Sequence, residues 1–525
     1  THYSSFAWNR RAPSAGGNAG QSTRSSITAL HIRNELPSYR SSIPTPRPCH
    51  IAVTRRRAGV TDPNRHTGRL DCGWVKVGRM TTLRFRGDGH GDGTFRVLQM
   101  ADVQDGPDVD PDTVALIEAA IREAKPDLVV FTGDQIRGYD PAWMRTFLRR
   151  RGERPGDHVR EVTRFEAWWR RTFDGARLPD PPESEVPDDT VDALLDDARA
   201  KVRRCFAGFL GPVVRAGVPF AATYGNHDFQ CGILAGEQDG IYREFPGCLN
   251  PRDPGEHGAD GDNPLVCEPG TFALPVEASD GSGRVAMSVV MVNSGDYATE
   301  RLSPDDTVFG EPSSHLAPAE YARDPRGLDL ADSDGYGTPT PQALAWLGGV
   351  QRSLAERNGD GRPVPAIAFQ HIPPQEFYQC LKEVPPLTPN AVEGARTFAG
   401  RCYVLDRSVC RPGSILGESI GCADVNCGEV AALRDAGGYF ALYCGHDHKN
   451  AFVGHVDGLD LGYAPTACSP TATSWSATAT MRRASSSATT WWWTVPPCAT
   501  SCADRASSPP SRCSPAWPSP RWAPR

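Results

Sequence analysis

Five short apolar runs, each closed by a polar cluster, constrain this chain more than anything else in it. Residues 95–101 (FRVLQMA) lead into Asp102 and Gln104, and residues 127–132 (DLVVFT) lead into Gly133-Asp134. Residues 218–224 (VPFAATY) lead into Gly225-Asn226-His227-Asp228. Residues 366–370 (AIAFQ) lead into His371, and residues 438–444 (GYFALYC) lead into Gly445-His446-Asp447-His448. Runs of this length, rich in β-branched and aromatic residues and ended by Gly or a polar turn, read as buried strands. In an open α/β sheet, ligands gather at the carboxyl ends of the strands, which is where all five clusters fall.

The donor types narrow the chemistry. Carboxylate, amide and imidazole suit hard or borderline divalent cations, and no thiolate stands in any of the five clusters. A zinc–thiolate knot is therefore not the reading for this constellation.

Helical spacing fills the gaps between strands. Val114, Ile117, Ile121 and Ala124 recur at a 3.6 period over 111–125, with Asp110 placed to cap and Pro111 suited to the first turn. Further helices are expected at 340–357, with Leu344, Leu347 and Val350 on one face, and at 427–436, with Val430 and Leu433. Strands alternating with helices predict an α/β layer architecture.

As an ordered set over residues 95–465, these motifs resemble the calcineurin-like metallophosphoesterases, and within them the purple-acid-phosphatase-related branch. The resemblance implies a four-layer α/β/β/α sandwich with two divalent metal ions (manganese, iron, zinc or magnesium) at the strand ends. It implies that Asp134 bridges the ions, that Asp102 and His448 hold the first, and that Asn226, His371 and His446 hold the second. His227 would stabilise or protonate the leaving oxygen, oriented by Asp228. The implied activity is hydrolysis of a phosphomonoester or phosphodiester by a metal-activated water. The reading from another class is a catalytically silent scaffold that keeps the fold.

Two positions depart from the family pattern. Gln104 stands where the family has His in its Asp-x-His motif. An amide oxygen is a weaker, harder ligand, which lowers affinity there or favours iron, manganese or magnesium over zinc, unless water completes the site. Arg137 occupies the place of the metal-binding Tyr of purple acid phosphatases, and Tyr139 is out of step, so no purple charge-transfer colour is expected.

Organisation and partners follow from composition. The motifs cross most of the 525 residues, which predicts one catalytic domain over 80–466 with insertions near 137–205 and 229–269, both leaving metal-bearing strand ends as lid candidates. The net charge of −7 argues against nucleic acid as a partner and leaves a phosphate-ester substrate. No apolar stretch has signal-peptide or membrane-span length, so no membrane partner and a cytoplasmic location are expected. Among the 16 Cys, Cys402, Cys410, Cys422 and Cys427 cluster in sequence, open to disulfide pairing or to a structural zinc. His257, His315 and His455 lie outside the motifs and read as surface residues.

The ends read differently. Residues 1–79 are rich in Arg, Ser and Pro without apolar periodicity and are expected to be disordered or a non-native extension ahead of Met80. Residues 467–525 form a low-complexity tail in which Trp491-Trp492-Trp493-Thr494 reads as Val-Val-Val-Asp when the frame starts one base earlier, provided that base is G. A frameshift between 466 and 474 is expected to have replaced further strands of the sandwich. N-terminal sequencing of the native protein and resequencing of the coding region check these two expectations.

Overall fold

The computed structural model describes residues 82–482 except 88–92, 149–160, 174, 176, 179–187, 253–262, 298–306, 309–310, 313–334 and 468–476. Residues 1–79, His257, His315 and the Trp491 run lie outside the described residues. All five apolar runs are strands: β2 (Thr94–Met100), β3 (Leu128–Thr132), β4 (Phe220–Thr223), β10 (Ala366–Phe369) and β14 (Tyr439–Cys444). They are shared between two sheets.

The smaller sheet has the order β17-β2-β3-β4, with β2, β3 and β4 parallel and β17 (Ala477–Arg482) antiparallel at the edge. The larger has the order β1-β6-β7-β10-β14-β16-β15. It adds β1 (Leu83–Arg84), β6 (Thr271–Glu277), β7 (Val285–Met291), β15 (Val453–Val456) and β16 (Leu459–Tyr463), with β5 (Val266–Glu268) paired to β6. β7, β10, β14 and β16 run parallel. A two-residue hairpin, β8 (Thr307–Val308) with β9 (Glu311–Pro312), stands apart, as does a small sheet of β11 (Leu381–Val384), β13 (Cys402–Leu405) and β12 (Val392–Glu393).

Side-chain alternation along each strand builds the layers. On the smaller sheet, Phe95, Val97, Leu128, Val130 and Ala221 face Met287, Val289, Met291, Ile367, Phe369 and Tyr443 of the larger, forming the inter-sheet core. The other face, with Leu98, Met100, Val129, Phe131 and Phe220, is covered by α1 (Pro111–Ala124), α3 (Asp188–Ala216) and α4 (Ala235–Tyr242). On the larger sheet, Val290, Ala366, Ala368 and Leu442 pack under α5 (Pro341–Asn358) and α6 (Glu429–Ala436). This is the four-layer α/β/β/α sandwich.

Capping places the helices where spacing predicted them. Asp110 accepts from the Asp112 amide at 2.8 Å, and Thr340 accepts from the Ala343 amide at 3.1 Å. The segment read as a first insertion is divided between two roles. Its latter part, 188–205, belongs to α3, whose Val202, Cys205, Phe206, Phe209 and Val213 are fully buried. Its first part carries η1 (Pro141–Trp143) and α2 (Glu161–Phe173), joined where the Arg170 guanidinium donates to Asp140 Oδ2 at 3.2 Å. Charge density hid the helix, because its apolar face begins after a run of acidic residues. Similarly, β17 lies inside the segment read as tail, since its sequence ATATMR has no large apolar residue beyond Met481. His455 is on β15, exposed, with Nδ1 3.0 Å from Asp460 Oδ1. Among the described residues no helix is long and apolar enough to cross a membrane.

Phe209 joins α3 to the smaller sheet, with its ring centroid 5.2 Å from Phe131 and 5.5 Å from Phe206. Phe209→Ala is expected to destabilise the folded protein by about 3–5 kcal/mol, read as a lowered urea midpoint. An unchanged midpoint would remove α3 from the core.

Candidate metal centre

The ends of five strands from both sheets meet at one point because the sheets are stitched there. The Gln99 amide donates to the Cys444 carbonyl at 3.1 Å, and the Thr223 hydroxyl donates to the Val292 carbonyl at 3.1 Å. The backbone then turns sharply. Asp102, Gln104, Asp134 and His446 all have positive φ, of 54°, 43°, 53° and 78°. Left-handed backbone at four non-glycine residues in one cluster is a signature of sites whose side chains must point where ordinary turns would not send them. Close approach demands glycine beside them: a Cβ on Gly225 would lie 2.2 Å from Asp134 Oδ1, and one on Gly133 would lie 2.5 Å from His371 Nδ1.

Three polar atoms converge on His371 Nε2. Asp134 Oδ2, Asn226 Oδ1 and His446 Nδ1 each lie 3.2 Å from it, while His371 Nδ1 faces the Thr132 carbonyl at 2.9 Å. Ligands about 2.1 Å from one ion lie about 3.0 Å apart in octahedral and about 3.4 Å apart in tetrahedral arrangement. The observed separation falls between these values, and the Asp134–His371–His446 group is the one His/Cys/Asp/Glu cluster of that kind among the described residues.

The second group adjoins the first through Asp134. Gln104 Nε2 lies 3.3 Å from Asp134 Oδ2 and 3.2 Å from His448 Nε2, which lies 3.5 Å from Asp102 Oδ1. Asp102 is fully buried; its Oδ2 accepts from the His446 amide at 2.9 Å, yet its Oδ1 has no hydrogen bond. A buried carboxylate oxygen left without a hydrogen bond in such a place fits a cation. The residues present therefore suit two ions sharing Asp134, with Gln104 turning its amide oxygen inward if it is to ligate.

The same contacts set the charges of these groups. Burial pushes the Asp134 carboxyl up, but the imidazoles of His371, His227 and His446 outweigh it and hold the group well below the usual carboxylate range. Burial pulls His371 down, but Asp134 and Asp102 outweigh that and raise it to about 10. His446 is driven well below its ordinary value, by burial and then by His371. His448, opposed by burial, is raised to about 9 by its contact with Asp102.

One expected role fails. Asp228 does not orient His227: its Oδ2 accepts from the amides of Asp134 and Gly225 at 2.8 and 2.7 Å, and its Oδ1 from that of Ile136 at 2.9 Å. The carboxylate faces inward, away from the ring that precedes it in the chain, because it knits the Asp134 turn to the Gly225 turn. Burial and the Asp134 charge raise it to about 7. His227 Nδ1 pairs instead with Gln230 Oε1 at 2.8 Å, leaving Nε2 3.9 Å from Asp134 Oδ2.

Three aromatic residues unforeseen from the sequence, or set aside there, ring the centre. Tyr297 Oη accepts from Asn226 Nδ2 at 2.9 Å, which turns the amide oxygen toward His371. Tyr336 packs edge-on against His446 with centroids 4.3 Å apart, and Tyr139 packs similarly on His227 at 5.2 Å. Tyr297 follows β7 and Asn293-Ser294-Gly295, a sixth apolar run closed by a polar turn, so its signal was present in the sequence.

Residues 95–272 match the family model described as calcineurin-like phosphoesterase. A probable inactive purple acid phosphatase 29 of Arabidopsis thaliana is 21% identical over 397 residues, covering 71% of this chain and 71% of the relative. A probable inactive purple acid phosphatase 28 from the same plant is 23% identical over 403 residues, covering 73% and 71%. A dimetal phosphatase of Danio rerio aligns in structure at 13% identity and a TM-score of 0.33, over 74% of this chain and 92% of that one.

Behind His371 lies a titratable group with a readable consequence. Glu429 is buried, accepts from Gln370 Nε2 at 3.0 Å, and is pushed by burial from its ordinary 4.5 to about 8. Between these values the unfolded chain binds fewer protons than the folded one, so this group's contribution to stability is lost as pH rises through that window. Glu429→Gln is expected to flatten the fall of the denaturation midpoint between pH 4.5 and 8. An identical pH profile would show that Glu429 ionises normally in the fold.

Proposed function

Residues 95–272 are a calcineurin-like phosphoesterase segment, and from that premise we propose that this protein hydrolyses phosphate esters at a two-metal site carried by residues 80–466. The observation that carries the proposal is the convergence of Asp134, Asn226 and His446 on His371 at a common 3.2 Å. Asp134, Asn226, His371 and His446 would hold one ion. Asp102, Gln104, His448 and the shared Asp134 would hold the other. When bound, such a pair supplies Lewis-acid charge for phosphoryl oxygens and lowers the pKa of a water to the neutral range.

The chain's own groups supply the rest. Gln230 Oε1 accepts from His227 Nδ1, which fixes the ring so that Nε2 faces the centre. As the imidazolium, His227 donates from Nε2 to the leaving oxygen or balances charge on the phosphoryl group. Asp228 keeps the Asp134 and Gly225 turns in register, so its contribution is to position ligands and not to move a proton. Tyr139, Tyr297 and Tyr336 form aromatic walls beside the ligands, suited to excluding water around the ester.

A catalytically silent scaffold is the second reading. It is favoured by the word inactive in the names of both relatives and by Gln104 in place of an imidazole. The two readings part in one experiment. Protein stripped of metal and reconstituted with manganese, iron, zinc or magnesium is assayed on an aryl phosphate and on its diester, beside Asp134→Asn. Metal-dependent turnover that falls on the order of 10³-fold in Asp134→Asn is expected. Folded protein that binds metal without turnover would leave the scaffold.

Gln104 gives a finer test. Gln104→His replaces an amide by the imidazole that soft-to-borderline ions favour, so zinc retention against a chelator is expected to rise on the order of 10-fold relative to manganese. Equal retention by both proteins would show that residue 104 does not ligate.

A further inference from the structure

Proximity in sequence grouped Cys410 with Cys402, Cys422 and Cys427, but the fold gives it another neighbour. The Cys410 thiol donates to the Cys380 carbonyl at 3.2 Å. A Cβ built on Gly454 would lie 2.5 Å from Cys380 Sγ and 3.4 Å from Cys410 Sγ. The two sulfurs therefore adjoin a single glycine and stand no more than about 6 Å apart. Cys380 and Cys410 are both buried, at 0% and 8% exposure.

The backbone on each side is held independently. The Asp406 amide donates to the Cys380 carbonyl at 3.0 Å and the Cys410 amide to the Asp406 carbonyl at 2.7 Å. Cys410 forms an antiparallel bridge with Gly454, and the Arg411 amide donates to the Val453 carbonyl at 2.8 Å. We propose that Cys380 and Cys410 are a disulfide-forming pair, and that their oxidation staples the start of β11 to the segment after β13, on the floor made by Gly454.

The electron balance needs a small-molecule disulfide, for which oxidised glutathione serves. The Cys410 thiolate attacks one of its sulfurs and releases one glutathione thiolate. Cys380 then loses its proton and attacks Cys410 Sγ, releasing the second. Two protein thiols become one disulfide, one small disulfide becomes two thiols, and the protein's two protons pass to the released thiolates. Hydrogen bonding between the two sulfurs lowers the Cys410 thiol and raises Cys380, which marks Cys410 as the first nucleophile.

The staple closes the segment that bears Arg396. That guanidinium pairs with Asp424 at 2.6 Å and lies 5.2 Å over the Tyr336 ring, whose edge rests on His446. Oxidation would therefore stiffen the small sheet that supports the wall of the metal centre.

The test uses the full chain, equilibrated with oxidised and reduced glutathione, alkylated, and mapped as peptides without reduction. A Cys380–Cys410 cross-linked peptide two hydrogens lighter than the separate thiol peptides is expected. So is a thermal midpoint higher by on the order of 5 °C, lost on reduction and absent in Cys410→Ser. Alkylation of both thiols after oxidising equilibration, or linkage of Cys410 to Cys402, Cys422 or Cys427, would overturn the pairing. Because the mapping needs no variant, poor folding of Cys410→Ser leaves the proposal fully exposed to refutation.

Discussion

An ionised carboxylate kept away from water is the constraint around which the polar end of this sandwich is arranged. Asp134 is buried, and burial alone would neutralise it. Three imidazoles from three different strand ends keep it charged, and the Asp228 carboxylate, through the Asp134 and Gly225 amides, keeps it aimed. The Gly225, Gly133 and Gly445 positions follow from the same requirement, since side chains there would collide with Asp134, His371 or Asp102. Two sheets are needed because no single sheet could present donors to one carboxylate from opposite sides.

That arrangement also separates two carboxylates of identical chemistry. Asp134 and Asp228 are both buried, yet one is held well below and the other raised above the usual range. The difference lies in their company: Asp134 faces imidazoles, whereas Asp228 faces backbone amides and the Asp134 charge. A fixed carboxylate of the second kind is a piece of structure.

Much of the layer architecture was legible in the sequence, because strand and helix periodicities and caps are local properties. Asp110, Pro111 and Thr340 mark helix starts within a few residues, and the five apolar runs mark five strands. The residues that meet at the strand ends were legible for the same reason, each standing at the end of its own run. What was not legible depends on where a side chain points after the fold closes. Asp228 follows His227 in the chain but faces the opposite way, and Gln230 takes its place because a short 3₁₀ turn (Asp228–Cys231) brings it back to the ring. Cys380 and Cys410 are separated by a whole small sheet, so spacing alone could not pair them. The core helix α3 was obscured by its charged exposed face, on which Arg199 and Arg203 meet Glu237 and Glu244.

The left-handed backbone at Asp102, Gln104, Asp134 and His446 restricts the alphabet available at the centre. Val, Ile and Thr, with two heavy atoms on Cβ, are strained in that conformation, while Asn and Asp tolerate it most readily. Substitution at these four points is thereby channelled among unbranched polar residues, and most of those carry a donor atom that can face a cation. Drift at such a position would tend to exchange one polar donor for another before it removed donors altogether. A backbone shaped this way keeps donor atoms at the centre more stubbornly than it keeps the identity of any one residue.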